Sequence, residues 1–388
     1  MRITTRIVQA IVALLFIVSG LVKANDPLGL AYKMEEFFEL WMDGLKSGHF
    51  FAKTPLISLL DFLNHHTLFL AITMITLEII AGVALLLGWM KKFILYLLLV
   101  LIIFFSFLTG YAYLSGKFTN CGCFGDCLPI TPLTSFLKDL VLLALIVFLL
   151  FGQRYIQPVF SKRTRSAIVS VSLLLTLLLQ WYVLKYLPLV DCLPMKKGNN
   201  LNVEIKPPKD AIPSVYETRL IYQNTKSGEL KDMSQDEFNN SKIWEDPSWK
   251  WKETKTKLVQ KGTDIPKLQN FSLKTLGGFD STEAILTYPG YSIVYFVNPG
   301  KDLKLFDRNY WNQKAKQLPV FVVTSSPGDF AADTTGNSYQ VFTTDGTVFR
   351  IAARVNPTIY LLKQGEIINK WPLSKSKQAE QTINSLKQ

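Results

Sequence analysis

The sequence is poor in cysteine, and what it has is confined: of 388 residues four are Cys, none before position 121 and none after 192. That distribution excludes a disulfide-dense scaffold and leaves the last half of the chain without thiol chemistry. Histidine is scarcer still. The three histidines, His49, His65 and His66, fall in one early stretch, where interfacial exposure is the plain reading and no metal site is expected. Charge is low at 19%, and long stretches carry none. The net charge of +12 is not arranged as a basic stripe interleaved with aromatics, which excludes nucleic acid as a partner.

What is present is apolar, with hydrophobic residues making up 49% of the chain. Five nearly charge-free runs, at 7–22, 68–89, 93–114, 133–151 and 167–187, match the roughly 20 residues a helix needs to span a bilayer core. Helices satisfy their own backbone hydrogen bonds in lipid, and no alternating barrel pattern is present, so five transmembrane helices are expected. The start MRITTR, then IVQAIVALLFIV and VKA, also has the regions of a cleavable signal, and either reading puts residue 25 on the outer side. Arg2, Arg6, Lys91, Lys92, Arg154, Lys162, Arg163 and Arg165 fall at alternate segment ends. The positive-inside rule then makes the N-terminus cytoplasmic, and the loop 23–67, the loop 115–132 and everything after residue 188 periplasmic, in a bacterial inner membrane.

All four cysteines then lie outside, where disulfides persist. Three readings stand open. Cys121 and Cys123 form a redox-active CxC pair, whose small ring is strained when oxidised and passes oxidation on, with Gly122 supplying backbone freedom. Alternatively the cysteines are structural bridges, most simply Cys127 to Cys192, a second pair that also fits beside the first reading. Or four thiolates bind zinc or an iron–sulfur cluster, for which C-x-C-x3-C is poor spacing.

The stretch CGCFGDCLPITPLTSFLKDLVLL, with IVSGLVKANDPLGLAYKMEEFF and TLEIIAGVALLLGW upstream, resembles the MauE branch of the DoxX-like membrane proteins over residues 5–155. The resemblance argues against cleavage of the first segment and implies a four-helix bundle with outer cysteines that handles disulfides. It is similar in arrangement to membrane enzymes that exchange electrons between thiols and a quinone. A fifth helix and a long outer region depart from the family pattern.

One carboxylate, Glu78, falls mid-membrane, where an unpaired charge costs at least about 2.5 kcal/mol. Lys23, and Lys138 with Asp139, are its candidate partners, and Ser106 and Thr109 could add hydrogen bonds. The cluster reads either as a proton relay or quinone contact beneath the cysteine loop, or as an ion pair that fixes helix packing.

Beyond residue 264 short β-rich runs appear: FSLKTL, YSIVYFV, PVFVVT, PTIYLL and EIINKW, with a helical stretch after the second and another at the chain end. Residues 264–388 resemble thioredoxin-like domains, with Pro357 at the position of that fold's cis-proline. Where such domains carry CxxC, this chain reads Asn298, Pro299, Gly300, Lys301 and Asp302. The site is degenerate, and the domain either docks a client or caps the bundle.

The expected architecture is thus an α-helical membrane bundle, a four-helix DoxX/MauE-like core (1–155) plus a fifth transmembrane helix (156–190). A periplasmic linker (191–263) follows, with a small β-rich element turning at Lys226, Ser227 and Gly228, and then a C-terminal α/β thioredoxin-like domain (264–388). The tryptophans of the linker, Trp244, Trp249 and Trp251, pack on the outer domain or lie at the membrane interface. The expected partners are the lipid bilayer and a periplasmic client or thiol protein. The expected function is thiol–disulfide exchange or assistance to maturation of extracytoplasmic proteins, with a non-enzymatic scaffold as the rival.

Overall fold

The computed structural model describes residues 2–47, 53–118, 125, 127–128, 130–260, 262–300, 305–331 and 336–386. Among these residues five helices are long and apolar enough to cross a membrane: α1 (Arg2–Ala24), α4 (Thr67–Leu87), α5 (Lys91–Ser115), α6 (Pro132–Phe151) and α7 (Lys162–Tyr186). Two further helices, α2 (Pro27–Ser47) and α3 (Lys53–His65), fill the segment between α1 and α4. The helix starts follow local chemistry. Thr131 accepts from the Thr134 amide with Pro132 at the first turn of α6, and Ser161 accepts from the Thr164 amide at α7. His65 and His66 donate through Nδ1–H to the carbonyls of Asp61 and Phe62.

The apolar faces of α1, α4, α5 and α6 meet in one core around Val12, Phe16, Leu85, Leu98 and Ile146. Basic side chains gather at one end of this bundle. Arg2 and Arg6 both donate to Gln157 Oε1 at 2.6 and 2.9 Å, Lys91 to the Ile156 carbonyl at 2.9 Å and Arg165 to the Gly88 carbonyl at 3.0 Å.

After α7 comes a short helix, α8 (Leu201–Glu204), then a three-stranded antiparallel sheet of β1 (Val215–Asn224), β2 (Leu230–Ser234) and β3 (Trp249–Gln260), with helix α9 (Gln235–Ser241) between the last two strands. The β1–β2 turn is held by Asn224 Oδ1, which accepts from the amides of Lys226 and Ser227, and by Gly228 at φ 74°. The three tryptophans stay on this sheet. Trp244 packs on Phe238, Trp249 lies under Lys231, and the Trp251 indole donates to Thr254.

The C-terminal region is a six-stranded mixed sheet. Its strands are β4 (Lys274–Thr275), β5 (Tyr291–Phe296), β6 (Val320–Thr324), β7 (Gln340–Thr343), β8 (Thr358–Lys363) and β9 (Glu366–Pro372), in the order β4-β7-β6-β5-β8-β9. β5, β6 and β7 are parallel, β8 pairs antiparallel with β5, and β9 pairs antiparallel with β8. Helices α10 (Thr282–Leu286), α11 (Arg308–Ala315), α12 (Gly346–Ala352) and α13 (Ser376–Ser385) surround it. Alternate residues of β5 serve opposite faces, Val294 and Phe296 in one core and Ile293 and Tyr295 in the other, as a sheet covered on both sides requires. β7 has no counterpart among the strands expected from sequence, because QVFT is short and follows a polar loop. FSLKTL contributes only the two residues of β4. Met195 and Leu201 belong to the first of these cores, so the start of the segment read as a polar linker is bound to the six-stranded sheet by burial.

Candidate functional site

Two glycines bring α1 against α4. A methyl group on Gly20 would lie 2.5 Å from Ile79 Cγ1, and one on Gly82 would lie 2.8 Å from Ile17 Cγ1 and 2.9 Å from the Ala13 carbonyl. That close approach sets Lys23 beside Glu78, Nζ to Oε1 2.6 Å, with both side chains 3% exposed. Lys23 also lies 4.5 Å from the centroid of Phe105, whose ring face favours a cation. In the first turns of α6, buried Asp139 accepts from Thr109 Oγ1 at 3.1 Å and from its neighbour Lys138. Glu78 is therefore the partner of Lys23, and Lys138 belongs to Asp139. Thr109 serves Asp139, and Ser106 has no bond to Glu78.

These four residues, with Ser19 and Phe16, line one cavity of about 20 Å³. Two cations and two carboxylates make it neutral, which is what lets four ionisable groups stay in a bundle interior. Glu78 Oε2 is buried with no hydrogen-bond partner among the described residues. The cavity has room for a water molecule, which needs roughly 10–15 Å³, and none for a quinone ring, so no step passes through a quinone there.

Cys127 and Cys192 are joined in a disulfide, Cα to Cα 4.9 Å, across 65 residues of sequence. Sulfurs so bonded are not thiolate ligands, which removes the reading of a four-cysteine metal site. Cys121 and Cys123 lie outside the described residues. Near the disulfide, Asn25 at the end of α1 exchanges two hydrogen bonds with the backbone of Val190, at 2.7 and 3.0 Å.

The region after β5 holds amides where thiols were sought. Asn298 Oδ1 accepts from Thr324 Oγ1 at 2.7 Å and the Ser325 amide at 3.0 Å, while its Nδ2 donates to Ser325 Oγ at 2.7 Å. The backbone of Asn298 exchanges two further bonds with the Asn356 side chain. Pro299 is buried, and the Gly300 amide donates to Asp329 Oδ2 at 3.1 Å. Lys301 and Asp302 lie outside the described residues. The Asn356–Pro357 peptide bond is cis. Asn356 and Pro357 border an open groove whose other wall is Trp181, Leu184 and Lys185 of α7. Nothing in this network is a nucleophile for disulfide exchange.

The junction between α2 and the six-stranded region has no motif of its own in the sequence. Arg354 pairs with Asp26 at 2.9 Å, 7% and 12% exposed, and Arg350 with Glu35 at 2.7 Å, while both guanidinium groups lie over the Tyr32 ring. Lys370 pairs with Asp191 and donates to the Met195 carbonyl at 3.2 Å. Burial holds the Lys370 ammonium below its usual pKa, against the pull of Asp191. The only signal was the run of Asp and Glu on an amphipathic segment, which spacing alone does not assign to a partner 300 residues away.

The α1–α4 glycine contact and the lysine–glutamate pair both fall in the part of the chain that comparison with known proteins matches. Residues 1–152 match the family model of methylamine utilisation protein MauE. The helical part as far as α6 is thus similar to the MauE family, and the match ends at the close of α6, before α7 and the sheets. A 55-residue stretch is 40% identical to Protein TlpB of Flavobacterium psychrophilum, covering 14% of this chain and 15% of that protein. The chain therefore spans a small part of the length of that curated relative. No solved structure matches.

Proposed function

We propose that this MauE-type membrane protein carries out thiol–disulfide exchange with extracytoplasmic polypeptides, with Cys121 and Cys123 as the exchanging pair. The observation that carries the reading is the Cys127–Cys192 bond: it takes two of the chain's four cysteines and leaves the CxC sequence as the remaining two. In the reaction a client thiolate attacks the Cys121–Cys123 disulfide, and a second client thiolate displaces the mixed disulfide. The client gains one disulfide, and the pair takes up two electrons and two protons as a dithiol. A disulfide-bearing partner restores the pair by the reverse exchange.

The collection of Arg2, Arg6, Lys91 and Arg165 at one end of the bundle supports a cytoplasmic N-terminus, with the disulfide and both sheets periplasmic, in a bacterial inner membrane. The divisions 1–155, 156–190, 191–263 and 264–388 are proposed as its domains. The order β6-β5-β8-β9, parallel then antiparallel, supports a thioredoxin-type outer domain whose chemistry has been lost and which serves to place clients at the membrane cysteines.

The test is turnover in nanodiscs, with a reduced two-cysteine peptide as electron donor and oxidised glutathione as acceptor. Wild-type protein is expected to oxidise many peptides per molecule and the C121S/C123S variant to fall to background; equal rates for the two would end the reading. The ion pairs of the outer junction favour one rival, a scaffold stapled shut, and that rival requires the wild type itself to be inert.

A further inference from the structure

Helix α7 leaves one side uncovered by the rest of the chain. Leu174, Leu178, Trp181 and Lys185 recur at spacings of three and four residues and all are exposed, so they form one stripe along the helix. In a helix that crosses a membrane, such an apolar stripe lies against acyl chains. Toward the C-terminal end of α7 the leucines give way to Trp181, Tyr182 and Tyr186, residue types that sit at headgroup level. There the stripe enters a groove of about 440 Å³, walled by Trp181 and Lys185 on one side and by Pro357, Leu373 and Ser374 on the other. The charge of this place is unbalanced. Lys185 Nζ lies 5.1 Å from the Trp181 ring centroid and 5.4 Å from that of Tyr186, and Lys375 Nζ lies 5.7 Å from the Tyr186 centroid. Among the described residues neither ammonium has a carboxylate partner, and no carboxylate lines the groove. Lys370 and Arg354, by contrast, are taken by Asp191 and Asp26. The Trp181 indole N–H and the Tyr186 hydroxyl also have no hydrogen-bond partner among the described residues.

We infer that this groove binds one anionic phospholipid, with its phosphate held between Lys185 and Lys375 and an acyl chain laid along Leu178 and Leu174. Charge complementarity selects the headgroup, since two unpaired cations favour a lipid with net negative charge over a zwitterionic one. The apolar stripe selects a lipid over a free anion, because inorganic phosphate would meet the lysines alone. Lys185 belongs to α7 and Lys375 to the turn Leu373–Lys375 after β9, so the bound lipid ties the six-stranded region to the bilayer surface. Ser374 already joins the two segments by donating to the Lys185 carbonyl at 2.9 Å. The site is independent of the exchange activity proposed above.

The test is native mass spectrometry of the full chain released from detergent micelles and titrated with phosphatidylglycerol or phosphatidylcholine. Wild type is expected to bind the first phosphatidylglycerol roughly tenfold more tightly than phosphatidylcholine. K185Q/K375Q should lose that preference and K185R/K375R should keep it, while millimolar inorganic phosphate should not displace the lipid. In nanodiscs, a photoactivatable phosphatidylglycerol should label wild type on the peptide bearing Trp181 and Lys185 or on the one bearing Leu373–Lys375. This arm needs no variant, so it decides the matter even where K185Q/K375Q does not fold. The site is overturned by an unchanged preference in folded K185Q/K375Q, by equal affinity of wild type for the two lipids, by displacement with inorganic phosphate, or by label found only elsewhere on the chain.

Discussion

Replacing Lys23 by Met removes one of four charges around the intramembrane cavity and changes its sum from zero to −1. Glu78 is then left at 3% exposure with neither oxygen bound by a cation, and must either carry an uncompensated charge or take up a proton. Breaking a buried pair by removing one partner costs about 3–5 kcal/mol, because the survivor is left uncompensated in a medium that solvates it poorly. The second pair offsets only part of this, because Lys138 acts on Glu78 from a distance while its ammonium is bound by Asp139. Lys23→Met should therefore lower bundle stability by about 3 kcal/mol or more, roughly a hundredfold in the folding equilibrium. The double variant K23M/E78L removes both charges and restores packing, so it should recover most of that loss. Unfolding by increasing mole fraction of sodium dodecyl sulfate in mixed micelles, followed by tryptophan fluorescence, gives the three free energies. A double variant as unstable as the single one, or a neutral Lys23→Met, would refute the claim that this pair is the organising contact of the cavity.

Other consequences follow from particular contacts. Gly82→Leu forces side-chain atoms into Ile17 and the Ala13 carbonyl, and should cost at least about 1–3 kcal/mol and lower the yield of folded protein, read by size-exclusion chromatography. At the junction of α2 with the six-stranded region, Arg354→Met deprives the mostly buried Asp26 of its cation and should open the junction to limited proteolysis, whereas Arg350→Met, at a half-exposed pair, should change stability by less than about 1 kcal/mol. The Ser214 hydroxyl and amide hold the Asp264 carboxyl below the usual range, so its folded-state pKa is depressed. The stability it contributes is present above the unfolded value near 3.9 and is lost as pH falls through the folded one. Thermal melts between pH 5 and pH 3 should fall less steeply in Ser214→Ala than in wild type.

Much of this was open to reading from residues alone. Five charge-free runs of bilayer length leave helices as the only self-satisfied backbone, and a single mid-membrane carboxylate demands a cation. Which cation it takes depends on helix approach. Spacing offered both Lys23 and Lys138, and the glycine contact at Gly20 decides for Lys23. Strands β5, β6, β8 and β9 were visible as β-rich runs, while β7 was too short and β4 too broken to register. The loss of thiols after β5 could be read directly, but the Asn298 network that occupies the place could not, since it joins residues from three separate loops. The contact of α2 with the six-stranded region was wholly hidden, because Tyr32 and Arg350 become neighbours only in the folded chain.

The most direct test of the central claim is alkylation of the full-length protein in native membranes across a series of mild dithiothreitol concentrations, with mass spectrometry assigning each cysteine. Cys121 and Cys123 should become labelled at the lowest reductant levels while Cys127 and Cys192 stay joined, the pattern that an exchanging CxC pair beside a structural bond requires. Four cysteines that all resist labelling until the protein unfolds would contradict it and leave the disulfides as staples.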